Sequence, residues 1–400
     1  MTEKTNVPKL RFSEFSSQWE PKKLGVLSTI RSASRVHREQ WTESGVPFFR
    51  SSDVVAAYKG NDNTRAFISN ELFEELSKKS GKPKKDDLLV TGGGSIGIPY
   101  LIPNDEPLYF KDADLLWFKN KEALNGYFLY QFLITSTFRR YLASITHTGT
   151  ISHYTIEQAK STPIVSPALP EQQKIASFLS KVDEKIALLT EKKDKLIEYK
   201  KGVMQQLFNG KWQDKDGQLI FIPPTLRFKA DDGSEFPDWE ERKLGDVLTI
   251  GNGRDYKHLS DGDIPVFGTG GYMTSVDGYL HDGETVFIGR KGTINKPYMF
   301  NGKFWTVDTL FYTKDFKDIL PKFVYAIFQK VNWSLYNEAT GVPSLSKSTI
   351  NKIRLNLPSL SEQEKITEFI SSLDQKIDLV NEELEKAKEW KRGLLQQMFV

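Results

Sequence analysis

The chain has 400 residues, 38% of them apolar and 27% charged, with a formal net charge of +3 and no cysteine. That length has room for two or three domains with cores of their own, and the absence of cysteine excludes disulfides and thiolate metal sites. No apolar run approaches the roughly 18 residues of a membrane span and residues 1–6 lack the apolar core of a signal peptide, so a cytoplasmic protein with no membrane contact is expected. A net charge of +3 is small for a protein that coats nucleic acid; if DNA is the partner, binding must rely on local basic faces and base readout, or on partner proteins that supply phosphate contacts.

The first half opens on Pro8-Lys9-Leu10-Arg11-Phe12 and Trp19-Glu20-Pro21-Lys22-Lys23-Leu24-Gly25, then enters a stretch of mixed strand and helix. Asp87-Leu88-Leu89-Val90, a short apolar run ahead of glycines, predicts a buried strand. Apolar spacing predicts one helix over residues 127–142, with Phe128, Phe132 and Phe138 on it and Arg139 and Arg140 near its end. Three loops combine hydrogen-bond donors with glycine or basic residues: residues 31–38, residues 49–53 and residues 148–154. Such side chains reach phosphates and base edges, which makes Arg31, Arg35, Arg50, Ser51, Thr150, His153 and Tyr154 candidate DNA contacts; for each loop the alternative is a solvated turn. Gly92-Gly93-Gly94-Ser95-Ile96-Gly97 matches the G-x-G-x-x-G pattern of nucleotide sites. Those sites need a helix next, whereas Ile98-Pro99-Tyr100-Leu101-Ile102-Pro103 is extended and proline-broken, so no cofactor is expected in this chain.

Residues 170–208 predict one long helix. Ile175, Val182, Leu189, Leu196 and Val203 recur every seven residues, and Leu179, Ile186 and Leu207 fill the alternate positions, the seam of a helix that expects a partner along its length. Pro170 suits its first turn and Asn209-Gly210 its end. Lys193 and Lys200 interrupt the seam, where their stems can snorkel.

The second half starts over with Pro224-Thr225-Leu226-Arg227-Phe228 and Trp239-Glu240-Glu241-Arg242-Lys243-Leu244-Gly245. Glu284-Thr285-Val286-Phe287-Ile288 predicts a strand, and residues 323–336 a helix carrying Tyr325, Ile327, Phe328 and Val331. Donor-rich loops at residues 251–258, 268–272, 289–293 and 343–347 supply the candidates Arg254, Tyr256, Lys257, Thr269, Arg290, Lys291, Thr293, Ser344 and Lys347. An arginine pairs bidentately with guanine and a lysine neutralises phosphate; for Arg254 the alternative is an ion pair with Asp255 or another nearby carboxylate. Ser361 with Glu364 forms a capping-box pattern for a second long helix. Its seam is Ile366, Leu373, Val380, Ala387 and Leu394 alternating with Ile370, Ile377, Leu384 and Met398, interrupted by Lys391.

The two halves are therefore one pattern written twice. Towards the end of each half the match is gapless at an offset of 191, so that Asp183, Lys185, Ile186, Gly202, Gln205, Gln206 and Phe208 recur as Asp374, Lys376, Ile377, Gly393, Gln396, Gln397 and Phe399. The expected fold class is α+β: globular domains over residues 1–167 and 211–358, each followed by a long helix over residues 168–210 and 359–400. If the helices pair with each other as an antiparallel coiled coil, the halves acquire a pseudo-two-fold axis and one chain imitates a symmetric dimer, whose two faces suit paired half-sites on DNA. The alternative is two ordinary helices, each packed on its own domain.

Catalytic signatures are missing. There is no Asn/Asp-Pro-Pro-aromatic tetrapeptide of adenine methyltransferases and no P-loop, and His37, His147, His153, His258 and His281 make no metal spacing.

Four segments carry a resemblance to a known family: Gly289-Arg290-Lys291-Gly292-Thr293-Ile294, residues 357–366, residues 167–175, and Lys200-Lys201-Gly202-Val203-Met204-Gln205-Gln206-Leu207-Phe208 with its second copy. Together with the order domain, helix, domain, helix, they resemble the specificity subunits of type I restriction–modification systems. The resemblance implies two target-recognition domains, each reading one half of a split double-stranded DNA sequence, and a helical spacer that sets the gap. It also implies assembly with two methyltransferase subunits and two restriction subunits, which would hold S-adenosylmethionine, ATP and Mg while this chain does no chemistry. The first half departs from the pattern, with Gly93-Gly94 where the second has Lys291-Gly292. The rival readings are a stand-alone DNA-modifying enzyme with a duplicated DNA-binding module, which would act without partners, and a coiled-coil adaptor, which would show no sequence-dependent binding.

Overall fold

The computed structural model describes residues 6–145, 153–215 and 218–400. Its contacts divide the chain into two units, Met1–Thr190 with Glu382–Val400, and Glu191–Asn381. Each unit thus combines a globular part with a stretch of both long helices.

In the first unit the strands Ser28–Arg31, Leu115–Asn120, Leu88–Thr91 and Pro99–Leu101 form an antiparallel sheet in that order. Leu88–Thr91 is buried on both faces: Leu88 and Val90 pack with Phe128 and Phe132, while Leu89 packs with Phe110 and Trp117. A continuous apolar run instead of an alternating one is what such a strand requires. Short strands Trp41–Thr42, Ala66–Ile68, Val46–Phe49 and Tyr109–Phe110 make a second sheet. The helix expected over residues 127–142 is two helices, Gly126–Leu133 and Ser136–Ile145. Thr135 causes the break: its hydroxyl donates back to the Phe132 carbonyl and accepts from the Phe138 N–H, offering the backbone a cap in place of a continued helix.

In the second unit six strands run in the order Thr249–Asn252, Leu310–Lys314, His281–Gly289, Tyr298–Thr306, Asp261–Gly268 and Gly271–Val276. The helix expected over residues 323–336 ends earlier. Pro321–Lys330 is helical, and a separate 3-10 turn, Trp333–Tyr336, returns so that the Trp333 indole N–H donates to the Phe328 carbonyl.

The recurring motifs build the same joint in each unit. Glu20–Lys23 pairs antiparallel with Pro163–Ser166, and Glu240–Lys243 with Arg354–Leu357. Buried Glu171 accepts from Arg11 and from the Trp19 indole, as buried Glu362 does from Arg227 and the Trp239 indole. Bidentate arginine contacts of this kind keep a buried carboxylate satisfied. The neighbouring glutamines clamp the incoming chain: Gln172 bonds Asn125, Ala123 and Pro167, and Gln363 bonds Leu320, Asp318 and Pro358.

The long helices span Leu169–Phe208 and Leu360–Met398. The second starts ahead of the expected capping box: Ser359, not Ser361, is the residue whose hydroxyl accepts from the Glu362 N–H. In the second unit Lys193 bonds Asn381 and Lys200 bonds Asp374, so that seven residues forward on one helix match seven backward on the other. That is an antiparallel pair. The first unit contains the repeat equivalent of the second contact, Lys391 with Asp183 at 2.6 Å. The seam lysines therefore bring their ammonium groups to polar partners on the facing helix. Ile175, Leu179, Val182 and Leu189 with Leu384 and Leu394 are buried in the first unit, as are Val203, Ile366, Ile370, Leu373 and Val380 in the second; Ile186, Leu196 and Ile377 are half-buried. No described helix is long and apolar enough to cross a membrane.

Candidate nucleic-acid interface

In the first unit the candidate loops converge on one tight turn, residues 112–114, between Tyr109–Phe110 and Leu115–Asn120. Its Ala113 holds φ at +60°. The Asp114 carbonyl accepts from the Gly92 N–H at 2.8 Å and from the Ser51 hydroxyl at 3.0 Å, and the Ala113 N–H donates to the Ser32 hydroxyl. The Gly92 carbonyl in turn accepts from the Tyr154 N–H. Lys111 pairs with Asp114 at 2.5 Å, and Arg35 lies 3.9 Å from Asp112 with most of its side chain in solvent. A side chain on Gly93 would meet the Asp114 carboxylate at 3.3 Å and lie 3.9 Å from the His153 ring, which packs the exposed His153 edge against the glycine loop. That loop leads into the strand Pro99–Leu101 and not into a helix, so the phosphate cradle of a dinucleotide site is not built here.

The individual candidates differ in availability. Arg31 is half-buried with its guanidinium 4.7 Å over Trp117. Arg50 is committed to its own loop: it bonds both Asp53 oxygens and the Thr64 carbonyl, and the Asp53 carboxylate raises its pKa. Tyr154 must be withdrawn as a surface contact. It is 1% exposed, packs against Phe138 and shares a hydrogen bond with Thr162. The repeat carried the signal, because the 191-residue offset places the apolar Leu345 at this position in the second half. Thr150 lies outside the described residues.

The second unit repeats the crossing with different side chains. Its turn, residues 307–309, joins Tyr298–Thr306 to Leu310–Lys314. The Thr309 carbonyl accepts from the Arg290 N–H at 2.8 Å, as Asp114 accepts from Gly92, and the Arg290 carbonyl accepts from Leu345, as Gly92 accepts from Tyr154. The Arg254 N–H donates to Thr306, and the Arg254 carbonyl accepts from the Trp305 indole at 2.9 Å. Lys291 forms a bridge with Ser344. The loops of Arg254, Arg290 and Ser344 thus meet at one place, and Phe267, ahead of Thr269, joins them by accepting from the Val307 N–H.

Arg254 is exposed, and among the described residues it makes no ion pair; the Asp255 carboxylate instead takes the Lys257 N–H. Its backbone is fixed and its guanidinium is not spent. Arg290 reaches the Asp308 carbonyl at 3.2 Å and lies over Phe311. Lys257, Lys291, Thr293 and Lys347 are exposed, and Ser344 and Thr269 are half-buried. Tyr256 packs against the cluster of Val266, Val276 and Trp305. The face offers two guanidinium groups and several ammonium groups, suited to an anionic surface patterned with acceptors.

The two turns escaped the sequence reading. Lys111-Asp112-Ala113-Asp114 and Val307-Asp308-Thr309 look like ordinary polar turns between apolar strands, and the gathering is done by their backbone carbonyls and N–H groups, which reveal nothing in a sequence.

The sequence matches the type I restriction modification DNA specificity domain over residues 16–198 and 237–389. It is 33% identical over 186 residues to a putative type I restriction enzyme specificity subunit of Haemophilus influenzae, covering 44% of this chain and 45% of that one. It is 23% identical to a type I restriction enzyme specificity subunit of Methanocaldococcus jannaschii, over 84% of both chains, and 20% identical to one of Escherichia coli, over 91% of this chain and 89% of that one. The chain thus spans less than half of the Haemophilus relative's length and more than four fifths of the other two. The fold is that of the type I restriction–modification S subunit from M. genitalium, with a TM-score of 0.62 at 18% identity over 98% and 99% of the two chains. A chain from a study of complex assembly and conformational transition in a type I system superposes with a TM-score of 0.56 at 14% identity, over 95% and 97%. With two matched regions that take in most of its length, the chain belongs to the family of type I restriction–modification specificity subunits.

Proposed function

We propose that each unit's loop cluster reads one half of a split, asymmetric double-stranded DNA target, and that the paired helices set the gap between the halves. One observation carries this reading: the same crossing of loops on a central turn is built twice on one repeated joint, with different side chains displayed. Arg254, Arg290 and Lys291 stand on the second, Arg35, Lys111 and His153 on the first. A constant support with variable donors is what reading two unlike sequences demands.

This chain holds no cofactor of its own in this reading and does no chemistry. Two methyltransferase subunits and two restriction subunits supply S-adenosylmethionine, ATP and Mg. Repetition on the helices supports partners in pairs. Leu188 and Leu379 are 59% and 61% exposed, and Tyr199 and Trp390 are 55% and 50% exposed; each couple is related by the 191-residue offset. Each unit therefore shows solvent a leucine and an aromatic ring at matching positions of the repeat, and matched exposed side chains fit two copies of one partner.

The test is to combine the purified chain with its methyltransferase subunits and map the methylated positions on random DNA. A two-part motif with a fixed gap is expected, and no modification by the chain alone. Methylation or cleavage by the unaccompanied chain would establish the stand-alone enzyme, and assembly without sequence preference would establish the adaptor.

A further inference from the structure

In the second unit Asp261–Gly268 and Gly271–Val276 form a two-stranded ribbon at the end of the sheet, closed by Thr269-Gly270 with Gly271 at φ +104°. Near its tip Tyr272 is 64% and Met273 51% exposed. Partners run Phe267 to Tyr272 but Val266 to Thr274, so Met273 is the extra residue of a β-bulge. Bulges bend an edge strand and re-aim side chains. A large apolar pair on an open edge is an aggregation hazard that proteins normally mask with charge, so its presence here calls for an occupant.

The tip is fixed to the loop cluster. The Val307 N–H donates to Phe267 at 3.0 Å, the Tyr298 hydroxyl donates to Gly268 at 2.9 Å, and a Cβ on Gly268 would meet the Met273 sulfur at 2.8 Å. Val307 belongs to the turn whose Thr309 carbonyl holds Arg290, and it follows Thr306, whose carbonyl holds Arg254. The candidates around that turn, Arg254, Arg290, Lys291 and Ser344, are cations and a hydroxyl, able to read acceptors and phosphates but not an apolar group. The major groove admits a two-stranded ribbon, and its apolar feature is the methyl on C5 of thymine.

We propose that the ribbon enters the major groove of the second half-site and that Tyr272 and Met273 contact the C5 edge of a pyrimidine there. This rests on the reading of the second unit's loop cluster as a DNA face. The experiment uses the assembled methyltransferase complex and duplexes carrying its methylation motif. Across the second half-site and its flanks, on both strands, each thymine is replaced by uracil and each cytosine by 5-methylcytosine, one at a time. The parent complex should change affinity about fourfold at one position, the effect of burying or losing one methyl group. Tyr272→Ala or Met273→Ala should abolish that response while leaving base preference at the other positions of the second half-site intact, which also shows that the second unit still folds. A parent that responds at no C5 position, or variants that keep the parent's response, overturn the proposal. Loss of affinity in Tyr272→Ala with no C5 response in the parent also overturns it and assigns the ring to stacking. Absence of any base preference in the second half-site is a separate result, which overturns the underlying reading as well.

Discussion

Arg254 shows how a side chain is kept available. Its N–H and carbonyl are both bonded, to Thr306 and to the Trp305 indole, while its guanidinium is left in solvent without an ion pair among the described residues. A fixed backbone with a free head group lowers the ordering cost of a bidentate contact. Arg254→Ala should therefore weaken binding of the methyltransferase complex by about 1–3 kcal/mol and relax preference at one base position. Lys257→Ala should weaken all sequences alike and reduce the salt dependence by about one unit of slope. Affinities across single-base variants of the target, at two or more salt concentrations, separate the two; unchanged affinity and preference in Arg254→Ala would make this loop a scaffold. Glu362 represents the opposite use of charge. It is fully buried and holds both Arg227 and the Trp239 indole. Glu362→Ala leaves the indole without its acceptor and the largely buried guanidinium, which keeps only the Phe236 and Pro237 carbonyls, without its counter-charge, and a loss of about 3–5 kcal/mol is expected in urea unfolding. A loss under 1 kcal/mol would show that solvent reaches the joint.

At the scale of elements, the long helices were legible because a seven-residue repeat has one physical meaning, a seam that must be covered. The shorter helices were less so. Thr135 breaks one by a hydrogen bond to the residue three back, which apolar spacing does not register. The central turns were illegible for another reason: their work is done by backbone carbonyls and N–H groups, and Tyr154, a loop donor by its sequence neighbours, is buried opposite Gly92. The antiparallel register makes the spacer prediction specific. Asp183 pairs with Lys391, which places Leu189 across from the residue after Leu384. One heptad inserted after Leu189 alone would leave seven residues without partners. Matching heptads after Leu189 and after Leu384 keep both seams and lengthen each helix by about 10 Å, equal to about three base pairs of rise. The methylated motif should keep both halves and gain about three base pairs between them. An unchanged gap would mean that partner subunits set the spacing.

At the scale of the whole chain, the duplicated joint separates a constant support from variable loops. Glu171 with Arg11 and Trp19, and Glu362 with Arg227 and Trp239, recur with the same bonding, whereas the loops between them share little beyond the glycine turn. The joint also locates where a segment can be exchanged. Glu20–Lys23 pairs with Pro163–Ser166, and the short helices Leu24–Leu27 and Ile156–Ser161 pack on each other, so cuts inside residues 28–153 leave all four elements in place. Replacing residues 28–153 by the corresponding segment of another specificity subunit removes Arg35, Lys111 and His153 together with their central turn, and touches nothing in Glu191–Asn381. The second cluster then keeps Arg254, Arg290 and Lys291 on an unaltered support. Sequencing the methylated positions should show one half of the motif changed to the donor's, the other half retained and the gap unchanged. If both halves change, the two clusters do not read independently, and the repeated joint transmits specificity in addition to holding the loops.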